Sequence, residues 1–104
     1  MIYHATNFEN LQSILVNGIK PADWSGETYF ANNPSYAAGF LQMRGVQQIV
    51  VFAVNMVDLD PNLLEEGSDH AAAFFPDDLE VTVYAGEVPP EALPLDEIVY
   101  FDLR

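Results

Sequence analysis

The side chains in this chain with the means to do chemistry are few, and they are spread along its length. His4 offers an imidazole that can donate and accept hydrogen bonds, and it sits in the run Tyr3-His4-Ala5-Thr6 near the start of the chain. Tyr29 and Phe30, with Phe40 further on, offer aromatic faces. Glu80 lies in the alternating run Leu79-Glu80-Val81-Thr82-Val83-Tyr84, whose two-residue period sets Leu79, Val81 and Val83 on one face and Glu80, Thr82 and Tyr84 on the other. Asp69-His70 could orient an imidazole base, but no Ser or Cys motif accompanies it, and the pair reads as loop surface. A Gly-rich phosphate loop, a nucleophile elbow and a helix-borne pair of metal ligands are all missing from the sequence. With no Cys and two His, the usual zinc sites are excluded as well, so no metal is expected.

The elements that must position these groups follow from local pattern. Residues 2–5 read as a short first strand, and Thr6-Asn7-Phe8-Glu9 fits a capping box that would open a helix. Phe8, Leu11, Ile14 and Leu15 recur at helical spacing, and Gly18 is placed to end that helix in a left-handed conformation. Residues 28–31 read as a strand. Asn33-Pro34 then supplies an N-cap and a first-turn proline for a second helix reaching Gln42 or Met43, with Gly45 ending it. Residues 46–57 are too apolar on both faces for an edge strand and are expected mid-sheet. Asp60-Pro61-Asn62 caps a short turn, residues 65–78 read as a polar loop around the apolar patch at 71–75, and residues 88–93 form a rigid proline-bearing connection. Residues 96–103 close the chain as a last strand. The reading is one α+β domain over residues 1–104.

Tyr3-His4-Ala5-Thr6, followed by Glu27-Thr28-Tyr29-Phe30-Ala31-Asn32-Asn33-Pro34, resembles the first two signatures of the ADP-ribosyltransferases in their His-Tyr-Glu form, shared by diphtheria-type toxins and poly(ADP-ribose) polymerases. The resemblance runs thinly from residue 2 to residue 103 and implies a small split β-sheet with two main helices, binding NAD. In that family the first-strand histidine holds a ribose hydroxyl, and the backbone of the next residue clasps the nicotinamide amide; here those would be His4 and Ala5. The family prefers glycine where this chain has Ala5, because the backbone must approach the ligand closely. Tyr29 would stack on nicotinamide with Phe40 across the ring, and Thr6, Phe30 and Ala31 would complete the NAD-binding set. A glutamate at the front of a late strand would hold the 2′-hydroxyl and stabilise the oxocarbenium charge. Asp78-Leu79-Glu80-Val81 resembles the family's pattern before a proline-rich turn and makes Glu80 the favoured acid; Asp96-Glu97-Ile98-Val99-Tyr100 resembles the ending of the polymerase branch and is the competitor. The implied activity is transfer of ADP-ribose to a protein or nucleic-acid acceptor, with Glu80, His4 and Tyr29 as its catalytic residues. The RNA 2′-phosphotransferase branch depends on several arginines and does not fit.

Charge points a second way. Residues 1–57 carry three acids and two bases, a net of −1, whereas residues 58–104 carry thirteen acids against Arg104 alone, a net of −12. Such a surface repels phosphate backbones, so direct nucleic-acid binding through it is not expected, and a basic protein partner is. The alternative function is therefore an acidic inhibitor or DNA mimic, of the type phages use against host defence, acting on a basic nucleic-acid-binding protein. NAD carries two phosphates, and only Lys20, Arg44 and Arg104 are available to offset them. No run approaches the roughly 18 apolar residues of a membrane span, and no basic-then-apolar leader precedes the first strand, so the expected address is cytoplasmic.

Overall fold

The computed structural model describes residues 1–23, 25–67 and 80–104. Among them the chain forms strands β1 (Ile2–Asn7), β2 (Thr28–Ala31), β3 (Gln48–Val54), β4 (Leu64–Gly67), β5 (Val81–Tyr84) and β6 (Val99–Asp102), with helices α1 (Leu11–Asn17) and α2 (Pro34–Gln42). The strands make one sheet in the order β4-β5-β2-β1-β3-β6, and every pairing is antiparallel. Helices packed on an antiparallel sheet make this an α+β architecture.

Both faces of the sheet are covered. Ile2, Phe30, Val50, Phe52, Val54 and Tyr84 turn to one side, where Leu11 and Ile14 of α1 pack on them. Ala31, Ile49 and Val51 turn to the other, against Ala37 and Ala38 of α2. Residues 49–54 of β3 are buried in succession because β3 lies between β1 and β6 and has core on each face, which erases the polar half of the strand period. Ala37, Ala38 and Gly39 are the buried residues of α2, and their small size lets the helix lie close to the sheet.

The helix starts have specific causes. The Asn33 side chain accepts from the Ser35 N–H at 2.8 Å, and Pro34 occupies the first turn, where its missing donor costs nothing. At α1 the expected capping box does not form. Thr6 and Asn7 remain in β1, paired with Val50 and Ile49, so the cap moves to Asn7, whose Oδ1 accepts from the Glu9 N–H at 3.2 Å over a 3-10 turn, Phe8–Asn10. The Thr6 hydroxyl accepts from Asn10 Nδ2 at 2.9 Å instead. Gly18 ends α1 with φ +79°, and a Cβ there would collide with the Val88 carbonyl oxygen, so glycine is required on two grounds. Ile19 and Val88 exchange backbone hydrogen bonds of 2.8 Å just beyond it, tying the end of α1 to the proline-bearing segment.

Three other expectations shift. The polar loop begins later than expected, because residues 64–67 pair with β5 as an edge strand, which needs one ladder only and tolerates charge such as that of Glu65. The last strand is shorter, since Leu95–Glu97 forms a 3-10 turn before β6. Tyr84, assigned by alternation to a polar face, is buried in the core and its hydroxyl accepts from the Asp60 N–H at 3.2 Å, because β5 also has core on both faces. Leu79, Asp69-His70, Asp77, Asp78 and the apolar patch at 71–75 lie outside the described residues. No helix among the described residues is long and apolar enough to cross a membrane.

Candidate functional site

The joint between β1 and β2 is where the sheet gives way. β1 pairs with β3 along its whole length, from Ile2↔Val54 to Asn7↔Ile49, yet with β2 it makes the single pair Tyr3↔Ala31. A continued ladder would set Ala5 opposite Tyr29. Instead the Tyr29 carbonyl accepts from His4 Nδ1 at 3.0 Å, so a side chain occupies the place of the backbone partner. Peptide groups alternate in direction along a strand: the Asn32 N–H donates across to the Glu80 carbonyl at 3.2 Å, which turns the peptide groups of Tyr29 and Ala31 toward β1 and, through the Tyr3↔Ala31 pair, those of Ala5 toward β2. The N–H and C=O of Ala5 thus turn toward β2, where no ladder pair receives them.

His4 is partly buried, with its ring 5.7 Å from that of Phe30 at a 56° tilt. Burial holds its pKa below the usual histidine value of 6.5, and the Tyr29 carbonyl partly opposes that shift. The imidazole is accordingly neutral at pH 7, with the proton on Nδ1 by virtue of the carbonyl partner. Nε2 is then a bare acceptor, with no partner among the described residues. His4 borders a cavity of about 300 Å³ between β1 and α1, lined also by Thr6, Asn10, Ser13, Asn17 and Lys20. A group with a hydroxyl donor fits the Nε2 acceptor.

The register separates the residues singled out from sequence into two sets. His4, Thr6 and Phe30 face α1, and Glu80, in step with Thr82 opposite Phe30, shares that face. Ala5, Ala31 and Phe40 belong to the α2 side, and Tyr29, one residue from Phe30 in the same strand, is on that side too. The Tyr29 ring therefore does not join His4 on one wall of a common pocket; the two meet through the Tyr29 carbonyl and the β1–β2 gap. A ligand touches both sets only by entering that gap. Glu80 is exposed at the start of β5, its backbone N–H held by the Asn32 side chain at 3.0 Å. From His4 it stands two strands across and two residues along, roughly 10 Å and 7 Å in strand geometry. Asp96 and Glu97 precede β6, beyond β3 and away from the gap.

Sequence reading passed over the polar side of α1. Asn10, Ser13 and Asn17 recur at intervals of three and four, a second stripe that the same helical period would have revealed beside the apolar one, and Lys20 follows just beyond the helix end. The Thr28 hydroxyl, on the His4 face of β2, is buried without a hydrogen-bond partner. No described acid lines the His4 cavity, whereas Asp58 and Glu91 line a second cavity, of about 280 Å³, with Met1, Asn55, Leu93 and Pro94. Neither a family model nor a curated protein sequence matches the chain.

Proposed function

We propose that this chain is an ADP-ribosyltransferase-like domain that binds NAD at the β1–β2 gap. The observation that carries the reading is the interrupted ladder: the His4 imidazole takes the Tyr29 carbonyl, and the N–H and C=O of Ala5 turn toward β2 without a ladder partner there. One donor and one acceptor side by side match a primary carboxamide, which offers the reverse pair, as nicotinamide does. The neutral Nε2 of His4 accepts from a ribose hydroxyl in the adjoining cavity. Tyr29 and Phe40, on the α2 side, are the aromatic surfaces for the nicotinamide ring where it emerges from the gap.

The chemistry is transfer: the bond from the ribose anomeric carbon to the nicotinamide nitrogen breaks, its electron pair leaves with nicotinamide, and an acceptor nucleophile of a protein or nucleic acid takes the ADP-ribosyl group and gives up its proton to solvent. Glu80, on the His4 face, supplies the carboxylate that stabilises the positive charge developing on the sugar. Asp96 and Glu97 stand on the wrong side of β3 for that role.

Thermal stabilisation by NAD tests the reading. Millimolar NAD raises the melting temperature, because a ligand bound only by the folded state stabilises it by mass action. His4→Ala abolishes the rise, and Glu80→Gln keeps the rise while lowering turnover on the order of 100-fold. No shift with NAD in the unmodified protein rejects NAD binding. Full turnover in the Glu80→Gln protein rejects Glu80 as the acid.

A second reading rests on where the charge falls. Asp58 and Glu91 flank a cavity apart from the His4 site, so these two acids are placed to engage a basic protein without blocking the His4 cavity.

A further inference from the structure

The chain has three basic side chains, and the structure assigns them different work. The Arg104 guanidinium is held by the Asp102 carboxylate, Nε and Nη2 each at 3.1 Å from one of its oxygens. Arg44 follows α2 and takes part in the turn that ends it, on the far side of the sheet from His4. Lys20 lines the cavity between β1 and α1 and enters no ion pair among the described residues. In a protein of net charge −13, this cavity has one of the three cations and none of the described acids in its lining, which makes it the less repulsive of the two cavities toward an anion.

The other polar groups of the cavity are suited to the same end. Thr6 accepts from Asn10 through its oxygen, which leaves the hydroxyl proton of Thr6 available to donate. Ser13 and Asn17 add neutral donors on the α1 wall. His4 Nε2 is the acceptor opposite them. The cavity thus holds an acceptor for a sugar hydroxyl, a set of hydroxyl and amide donors, and one ammonium. Its volume, about 300 Å³, is at the small end of ligand pockets and takes part of a dinucleotide, not the whole.

We infer that this cavity binds a ribose bearing a phosphate group, with Lys20 as the phosphate-binding cation and His4 Nε2 on the sugar hydroxyl; for NAD this deepens the reading above and rests on it for the identity of the remaining half. Binding is measured calorimetrically for NAD, ADP-ribose, nicotinamide riboside and inorganic pyrophosphate, on the unmodified protein, Lys20→Met and Lys20→Arg. Lys20 is exposed, so both variants fold, which an unchanged melting temperature verifies. In Lys20→Met, affinity for ADP-ribose and NAD falls about 10-fold or more, the range of a lost charge-assisted hydrogen bond, while nicotinamide riboside binds as before. Lys20→Arg retains most of the affinity, and added salt weakens ADP-ribose binding to the unmodified protein far more than to Lys20→Met.

Equal ADP-ribose affinity in Lys20→Met and the unmodified protein overturns the inference and leaves NAD binding intact. An equal loss for the riboside overturns it too, since Lys20 would then act on the sugar or the fold. Lys20-dependent binding of ADP-ribose and pyrophosphate without binding of NAD sustains the phosphate site and rejects the nicotinamide reading. Failure of all four probes on the unmodified protein overturns both.

Discussion

At the scale of the single residue, His4 does two jobs that pull in one direction. Its Nδ1 proton closes a backbone vacancy in the sheet, and its neutrality leaves Nε2 free to accept. That neutrality has a consequence for stability. The folded-state pKa lies below 6.5, so as pH falls the unfolded chain takes up its proton first, and stability drops below about pH 6.5. Above that pH the residue is neutral in both states and the penalty vanishes. His4→Gln removes this term, because an amide does not titrate in this range. Urea midpoints measured between pH 7.5 and about pH 5.5 fall for the unmodified protein and stay flatter for His4→Gln. The second histidine, His70, is present in both proteins and cancels in the difference. Parallel curves would mean that His4 is not held neutral by the fold.

Elements matter here through their ends and joints more than through their lengths. α1 is short, and what fixes it is its exit: Gly18 at positive φ, then the Ile19–Val88 hydrogen bonds that dock the chain on the proline-bearing segment. The polar stripe of α1 that faces the cavity is held by this exit. Gly18→Ala meets both a left-handed backbone and the Val88 carbonyl, and it destabilises by about 2 kcal/mol or more, roughly a 10 °C drop in melting temperature for a domain of this size. Because Gly18 and Lys20 border the same cavity, ADP-ribose binding falls in the same variant. A differential-scanning trace within 2 °C of the unmodified protein would show that the exit relaxes without cost.

For the whole molecule, charge is the dominant fact. A net charge of −13 on 104 residues repels itself in the compact state. Raising NaCl from about 20 mM to about 0.3 M shortens the Debye length from roughly 20 Å to roughly 6 Å, and the melting temperature rises by several degrees as the repulsion is screened. Potassium chloride gives the same rise, since screening depends on ionic strength and not on the cation. A flat or falling melting temperature over that range contradicts self-repulsion. The two cavities differ in the sign of their charged lining: Lys20 and no described acid border one, Asp58 and Glu91 the other.

Much of the scaffold is determined by sequence alone, because its causes are local. Asn33-Pro34 caps α2 through contacts within a few residues, Gly18 and Gly45 adopt the positive φ expected of helix-ending glycines, and the apolar run around Val50-Val51-Phe52 goes mid-sheet because no polar face is left to expose. His4 in the first strand and Tyr29 in the next were legible for the same reason, whereas Glu80, expected within the strand at 79–84, stands just before β5. Their relation to one another was not legible. Whether Tyr29 shares a wall with His4 depends on the register of two strands 25 residues apart in sequence, and the Tyr3↔Ala31 pair puts Phe30, not Tyr29, beside the imidazole. A shift of one residue would have reversed every such assignment, and nothing within either strand encodes it. Only the packed sheet decides that a side chain replaces a ladder bond at Tyr29, that Ala5 has no ladder partner in β2, and that Lys20 lines the cavity His4 borders, because each of these is a relation between segments brought together by burial and not by sequence.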